Sequence, residues 1–156
     1  MNFFSHNFGH NGLLKFDGLG INGKMSELQA AMGLAMLPYM SSIIQSRKDS
    51  IDYYLQNLYI KNLKFLKIRN KTEWNYCYFP VIFESEHLLL NVQSRLNEKN
   101  IFPRRYFYPS LNTINYINGS SMPISETIAS RILCLPLFND MPKDILNKIC
   151  YVINNI

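Results

Sequence analysis

The sequence predicts an α+β domain, long helices laid over a small sheet, and three observations carry that reading. Apolar residues recur at helical spacing in four separate segments, short runs rich in aromatic and β-branched residues fall between them, and glycine or proline marks most of the junctions. With 156 residues, 47% of them hydrophobic and 17% charged, the chain suits one domain or part of a larger one and can bury a core.

Residues 1–24 carry Gly9, Gly12, Gly18, Gly20 and Gly23, five of the seven glycines, and read as a shaped loop rather than regular structure. A helix follows. Ser26 is its expected N-cap and Gln29 completes a capping box. Met25, Leu28, Met32 and Met36 form a stripe, with Ala30, Ala31, Gly33 and Ala35 beside it, so another backbone could approach closely. Pro38 ends or bends this helix because it lacks an amide donor and clashes with the preceding turn. From Pro38 to about Leu58 a second helix is predicted by Met40, Ile43, Ile44, Ile51, Tyr54, Leu55 and Leu58.

Tyr76–Phe83 reads as a strand, and Pro80 within it argues for an edge position or a bulge. Glu86–Lys99 is an amphipathic helix carried by Leu89, Val92 and Leu96. Ile101–Tyr108 is a second strand running into a loop at Pro109. Ser125 is the expected cap of a short helix, and Leu133–Leu137 is a short apolar strand. Pro142 sits in the first turn of a terminal helix striped by Ile145, Ile149, Val152 and Ile156. No internal repeat is visible.

Several function classes drop out. No run of about 18 apolar residues exists to span a membrane, and the N-terminus lacks the basic and apolar regions of a secretory signal. Cys77, Cys134 and Cys150 are odd in number and widely spaced, which suits reduced, buried thiols of a cytoplasmic protein rather than disulfides or a metal site. The formal charge of +5 is dispersed apart from Arg104-Arg105 and the basic stretch between Lys61 and Lys71. Such a pattern favours an anionic small ligand or a solvated surface, with no nucleic-acid footprint.

Three ordered stretches resemble one family: NFGHNGLLKFDGLGINGKMSELQAAMGLAML at residues 7–37, IFPRRYFYPSLN at 101–112, and ILCLPLFNDMP at 132–142. Together they are similar to the DegT/DnrJ/EryC1/StrS aminotransferases, which act on nucleotide-linked keto sugars with pyridoxal 5'-phosphate. The resemblance implies the type I pyridoxal-phosphate fold, α/β overall in the parent enzyme. Residues 1–24 would then be the end of the cofactor-binding large domain, an active-site loop. Residues 25–156 would be the C-terminal small domain with its linking helices. It further implies glutamate as amino donor, a keto-deoxyhexose acceptor such as a dTDP-keto-6-deoxyhexose, a homodimer, and a place in polysaccharide or O-antigen synthesis. Family members carry the Schiff-base lysine upstream of the block matching Asn7. The chain by itself is therefore expected to lack that lysine, to hold no catalytic residue and to be inactive alone. The alternative is a non-catalytic relic or a partner-binding α+β module.

Candidate site residues are weighed on that basis. Asn22, between Gly20 and Gly23 before a helix, could present its amide to a phosphate or act only as a capping asparagine. The resemblance assigns it to the cofactor phosphate of the neighbouring subunit. Lys24 opposes the helix dipole and is either near a ligand phosphate or in solvent; the resemblance places it downstream of the reactive lysine. His10 is a loop histidine that could reach a sugar. Arg104, Arg105, Tyr106 and Tyr108 offer bidentate forks for a diphosphate and rings with hydroxyls for a sugar, or else a strand of alternating exposed arginines and buried aromatics. Asn112 stands where many relatives carry histidine, and it could still donate to a sugar or phosphate oxygen.

Overall fold

Ser26 opens the first described helix as its residue type predicts. Its hydroxyl accepts the Gln29 amide at 3.3 Å, and the Gln29 side-chain oxygen accepts the Ser26 amide at 3.0 Å. This reciprocal pair satisfies two of the donors a helix start leaves free. In the computed structural model, residues 23–61, 63–106, 108–117 and 119–156 are described. The chain divides into two compact units, Met1–Met40 and Ser41–Ile156. In the first, helix α1 (Glu27–Met36) runs into a single 3-10 turn at Leu37–Tyr39, where Pro38 stands. No residue of α1 is buried, and Met25, Leu28, Met32, Leu34 and Met36 are all exposed.

Helix α2 (Met40–Asn57) leads into the larger unit, which continues with β1 (Lys64–Phe65), β2 (Phe79–Ile82), α3 (Glu86–Asn97), α4 (Pro123–Arg131), β3 (Ile132–Leu135) and α5 (Lys143–Asn154). The three strands form one antiparallel sheet in the order β1-β2-β3. Helices and a small sheet thus make the α+β arrangement that the sequence predicts. No described helix is long and apolar enough to cross a membrane.

Phe79 and Val81 on β2, with Phe83 just beyond it, point to one face of the sheet. Leu133 and Leu135 of β3 stand beside them, and all are buried. Onto that face pack Ile51 and Tyr54 of α2, Leu89, Val92 and Leu96 of α3, and Leu146, Ile149 and Ile153 of α5. The Phe79 ring is the centre of the stack, 5.2 Å from Tyr54 and 5.7 Å from Phe65. The opposite face carries Pro80, Ile82, Ile132 and Cys134, and three clefts of the domain open beside it.

Pro80 occupies the central strand, which corrects the expectation of an edge or a bulge. The register explains the tolerance. Cys134 directs both its backbone groups to Arg104, so its pairing with Pro80 is a non-hydrogen-bonded one, and the missing Pro80 donor faces the β1 side. There β1 has already ended at Phe65, opposite Val81. The sheet is locally an edge at that point. Three smaller expectations also shift. Ser125 lies inside α4, which instead begins with Pro123 at its first position after Met122. The strand at Leu133 starts one residue earlier. The buried stripe of α5 is Leu146, Ile149, Cys150, Val152 and Ile153, with Ile145 only partly covered and Ile156 exposed, because Leu146 rather than Ile145 faces the sheet.

Two substitutions separate packing from hydrogen bonding in this core. Phe79→Ala removes the centre of the aromatic stack and should cost about 3–5 kcal/mol. Tyr54→Phe removes only the phenol donated to the Pro136 carbonyl at 2.9 Å and should cost about 1 kcal/mol. Urea unfolding of both variants reads the difference, and equal costs would contradict the assigned centre.

The cysteines give a second check. Cys134 and Cys150 are buried and Cys77 is exposed. Burial raises the Cys134 thiol and pushes Cys150 up to about 11. A thiol raised in the folded state contributes stability below its unfolded value, which is lost as pH rises through the folded one. The contribution of the two buried thiols should therefore be level up to about pH 8.5 and fall above it. At neutral pH a thiol reagent should label Cys77 alone in the native protein and all three sites after unfolding. Native labelling of Cys150 at the rate of Cys77 would contradict the packing of α5.

Candidate functional site

The chain leaves α3 through Asn100, which adopts a left-handed backbone (φ 57°) that asparagine tolerates better than most residues. The Ile101 amide donates back to the Leu96 carbonyl at 3.0 Å, closing the turn. Ile101 and Pro103 are then buried while Phe102 and Arg104 are exposed, an alternation that fits an extended segment. The strand expected over Ile101–Tyr108 contracts to one bridge, Arg104 with Cys134 of β3. Pro103 can give no ladder donor, and the chain turns at Tyr106. The bridge itself is complete: Arg104 donates to the Cys134 carbonyl at 3.1 Å and accepts from its amide at 2.8 Å.

That bridge sets Arg104 on the wall of a cleft of about 330 Å³ lined also by Cys77, Tyr78, Phe102, Tyr106 and Phe138. Arg104 is the one charged side chain among the described residues that line it. Its Nη1 donates to the Tyr106 hydroxyl at 2.9 Å, and the Tyr78 ring lies tilted against Tyr106 with centroids 5.4 Å apart. At the rim, Arg47 of α2 directs Nη1 toward the Cys77 sulfur at 3.9 Å. A guanidinium set among aromatic rings can hold an anion with its charge and a ring or sugar with its walls.

Arg105, the next residue, points elsewhere. Its Nη2 meets Glu86 Oε1 at 2.6 Å and donates to the Ser130 carbonyl at 2.9 Å, and the Tyr108 ring lies 3.6 Å from the guanidinium carbon. The tandem arginines thus separate, one to the cleft and one to the interior. Asn112 belongs to a second cleft of about 420 Å³ that shares Tyr106 with the first, but its amide is engaged. It donates to Glu126 Oε1 at 2.7 Å and to the Ser120 carbonyl at 3.1 Å, and accepts from the Ser110 hydroxyl at 2.6 Å. A Cβ at Gly119 would come within 2.7 Å of the Asn112 carbonyl oxygen, so only glycine lets the loop close on itself there. The Met122 amide, followed by the Asn112 side chain, holds the Glu126 carboxyl below its usual range.

Lys24 is exposed before α1 and lines neither cleft. His10 and Asn22 lie outside the described residues. Among the described residues, no lysine lines either cleft. Sequence reasoning passed over Tyr78, Phe102 and Phe138, which line the cleft only because the fold sets them beside Arg104; Tyr78 was legible only as one of several strand aromatics. It also passed over Glu86, read merely as the start of a helix.

Comparisons with known proteins agree with this architecture. The sequence pattern of the DegT/DnrJ/EryC1/StrS aminotransferase family matches residues 2–154. The dTDP-4-amino-4,6-dideoxy-D-glucose transaminase of Escherichia coli is 34% identical over 154 residues, covering 92% of this chain and 41% of its own. GDP-perosamine synthase of Vibrio cholerae is 26% identical over 144 residues, covering 89% of this chain and 39% of its own. Among solved structures, a DegT DnrJ EryC1 StrS aminotransferase from Brucella abortus superposes with a TM-score of 0.80 at 20% identity, over 97% of this chain and 41% of its own. DesV of S. venezuelae gives 0.80 at 19%, over 97% and 42%. These two likenesses show a shared fold. The chain spans about two fifths of the length of the curated relatives it matches. Matched over nearly all of its residues, it belongs to the DegT/DnrJ/EryC1/StrS aminotransferase family.

Proposed function

We propose that this chain is the C-terminal part of a pyridoxal-phosphate-dependent aminotransferase that moves an amino group from glutamate to a nucleotide-linked keto-deoxy sugar, in polysaccharide or O-antigen synthesis. The observation that carries the proposal is Arg104, the one charged side chain among the described residues lining an aromatic cleft. A diphosphate joined to a sugar and a base needs charge at one point and flat surfaces around it. The names of the relatives, a dTDP-sugar transaminase and a GDP-sugar synthase, support that class of acceptor.

In this reading Arg104 binds the diphosphate, and Tyr106 and Tyr78 line the sugar or base. Residues 1–24 are the end of the large domain, and 25–156 the small domain with its linking helices. The Schiff-base lysine comes from sequence outside these 156 residues, which alone are inactive. Pyridoxal phosphate supplies an electron sink for amino transfer when bound, and Asn22 donates to its phosphate across a cytoplasmic homodimer. His10 and Lys24 are further candidates for the substrate in that dimer.

In the complete enzyme, Arg104→Met should remove charge-assisted hydrogen bonds worth about 1.5–3 kcal/mol. The KM for the sugar nucleotide should rise about ten- to a hundredfold while that for glutamate holds. An unchanged KM for the sugar nucleotide would contradict the role of the cleft. Asn22→Ala should weaken pyridoxal phosphate by a similar factor. If Asn22 only caps a helix, the same change lowers stability by about 1 kcal/mol and leaves cofactor affinity as it was. Thermal melting and cofactor titration on one variant decide between these outcomes.

A further inference from the structure

Arg105 and Arg104 are neighbours of the same type, yet their surroundings differ in kind. The Arg105 side chain is only 15% exposed and its Glu86 partner 39%. Glu86 opens α3, directly after the N-cap Ser85, and Ser130 lies in the last turn of α4. Arg105 therefore joins an acid at the positive end of one helix to a carbonyl at the negative end of another, both favourable placements. Tyr108 covers the guanidinium from the side. Its Nε is buried with no hydrogen-bond partner, so the holding contacts are those made by Nη2 and the Tyr108 ring.

We propose that Arg105 is a positioning residue for the cleft rather than an anion-binding one. Clamped between Glu86 and Ser130 under Tyr108, it fixes the segment that presents Arg104 and Tyr106. The mechanical path is short. Arg105 is flanked by both cleft residues, and on its far side Arg104 is pinned to Cys134 by two backbone hydrogen bonds. Releasing the clamp leaves that bridge and the buried Ile101 and Pro103 to hold Arg104 in register. This inference rests on the reading of the cleft as the sugar-nucleotide site, and it departs from the expectation that both arginines face the ligand.

Two measurements on Arg105→Met, Glu86→Gln and the charge-exchanged double variant Arg105→Glu/Glu86→Arg test it. The first is amide hydrogen exchange at Arg104 and Cys134 in this chain, with α5 amides as the control. Both single variants should speed exchange at the bridge roughly tenfold or more while α5 is unmoved, and the double variant should recover part of the protection. The second is steady-state kinetics of the complete enzyme. Both single variants should raise KM for the sugar nucleotide with kcat and the KM for glutamate little changed, although Glu86 lines neither cleft. A raised KM in Arg105→Met with bridge exchange unchanged, and Glu86→Gln silent in both assays, would show direct ligand contact and overturn the proposal. Faster bridge exchange with KM unmoved by Arg105→Met and by Arg104→Met alike would instead overturn the cleft as the sugar-nucleotide site and leave the clamp standing.

Discussion

Two backbone hydrogen bonds between Arg104 and Cys134 tie the wall of the aromatic cleft to the packed sheet. On one side of Cys134 lies β2, whose Phe79 and Val81 are locked beneath three helices. On the other lies a segment with one bridge to the sheet among its described residues, and it carries Arg104 and Tyr106. Core packing is worth many kcal/mol and the bridge about one or two. The cleft wall is therefore the part most dependent on supporting contacts, which is where Arg105, Glu86 and Ser130 lie.

The same strand explains how a proline enters the middle of the sheet. Because Cys134 turns its backbone groups toward Arg104, Pro80 has no donor to lose on that side, and β1 stops before it would need one on the other. The arrangement has a consequence for the site. The Arg104 cleft opens on the face bearing Pro80 and Cys134, opposite the one packed under the helices.

Much of this was legible in the sequence wherever the signal is local. Ser26 and Gln29 form their capping box because both partners sit within one helical turn. Leu89, Val92 and Leu96 are buried because helix periodicity depends on the chain alone. The family could be read from ordered blocks, and the pattern match agrees. What the sequence hid was spatial. Pro80 obeys its rule locally, but only the pairing register shows where the neighbouring strand ends. In α5 several adjacent residues are apolar, so the stripe could be drawn through Ile145 or Leu146, and packing against the sheet chose Leu146. Arg104 and Arg105 are chemically identical in the sequence. Their division of labour depends on Glu86, 19 residues away from Arg105, and on the carbonyl of Ser130, which residue type never reveals. Asn112 reads as a free donor until Glu126 and Ser120 are seen to occupy it.

The sugar-nucleotide reading therefore turns on where the diphosphate sits. A crystal structure of the complete enzyme with a bound dTDP-linked sugar measures that directly. The account predicts a diphosphate oxygen at hydrogen-bond distance, about 3 Å, from the Arg104 guanidinium, with Tyr78 and Tyr106 against the ligand and Arg105 still paired with Glu86. A diphosphate held by Arg105 with the Glu86 pair broken, or one bound away from the Arg104 cleft altogether, would contradict it.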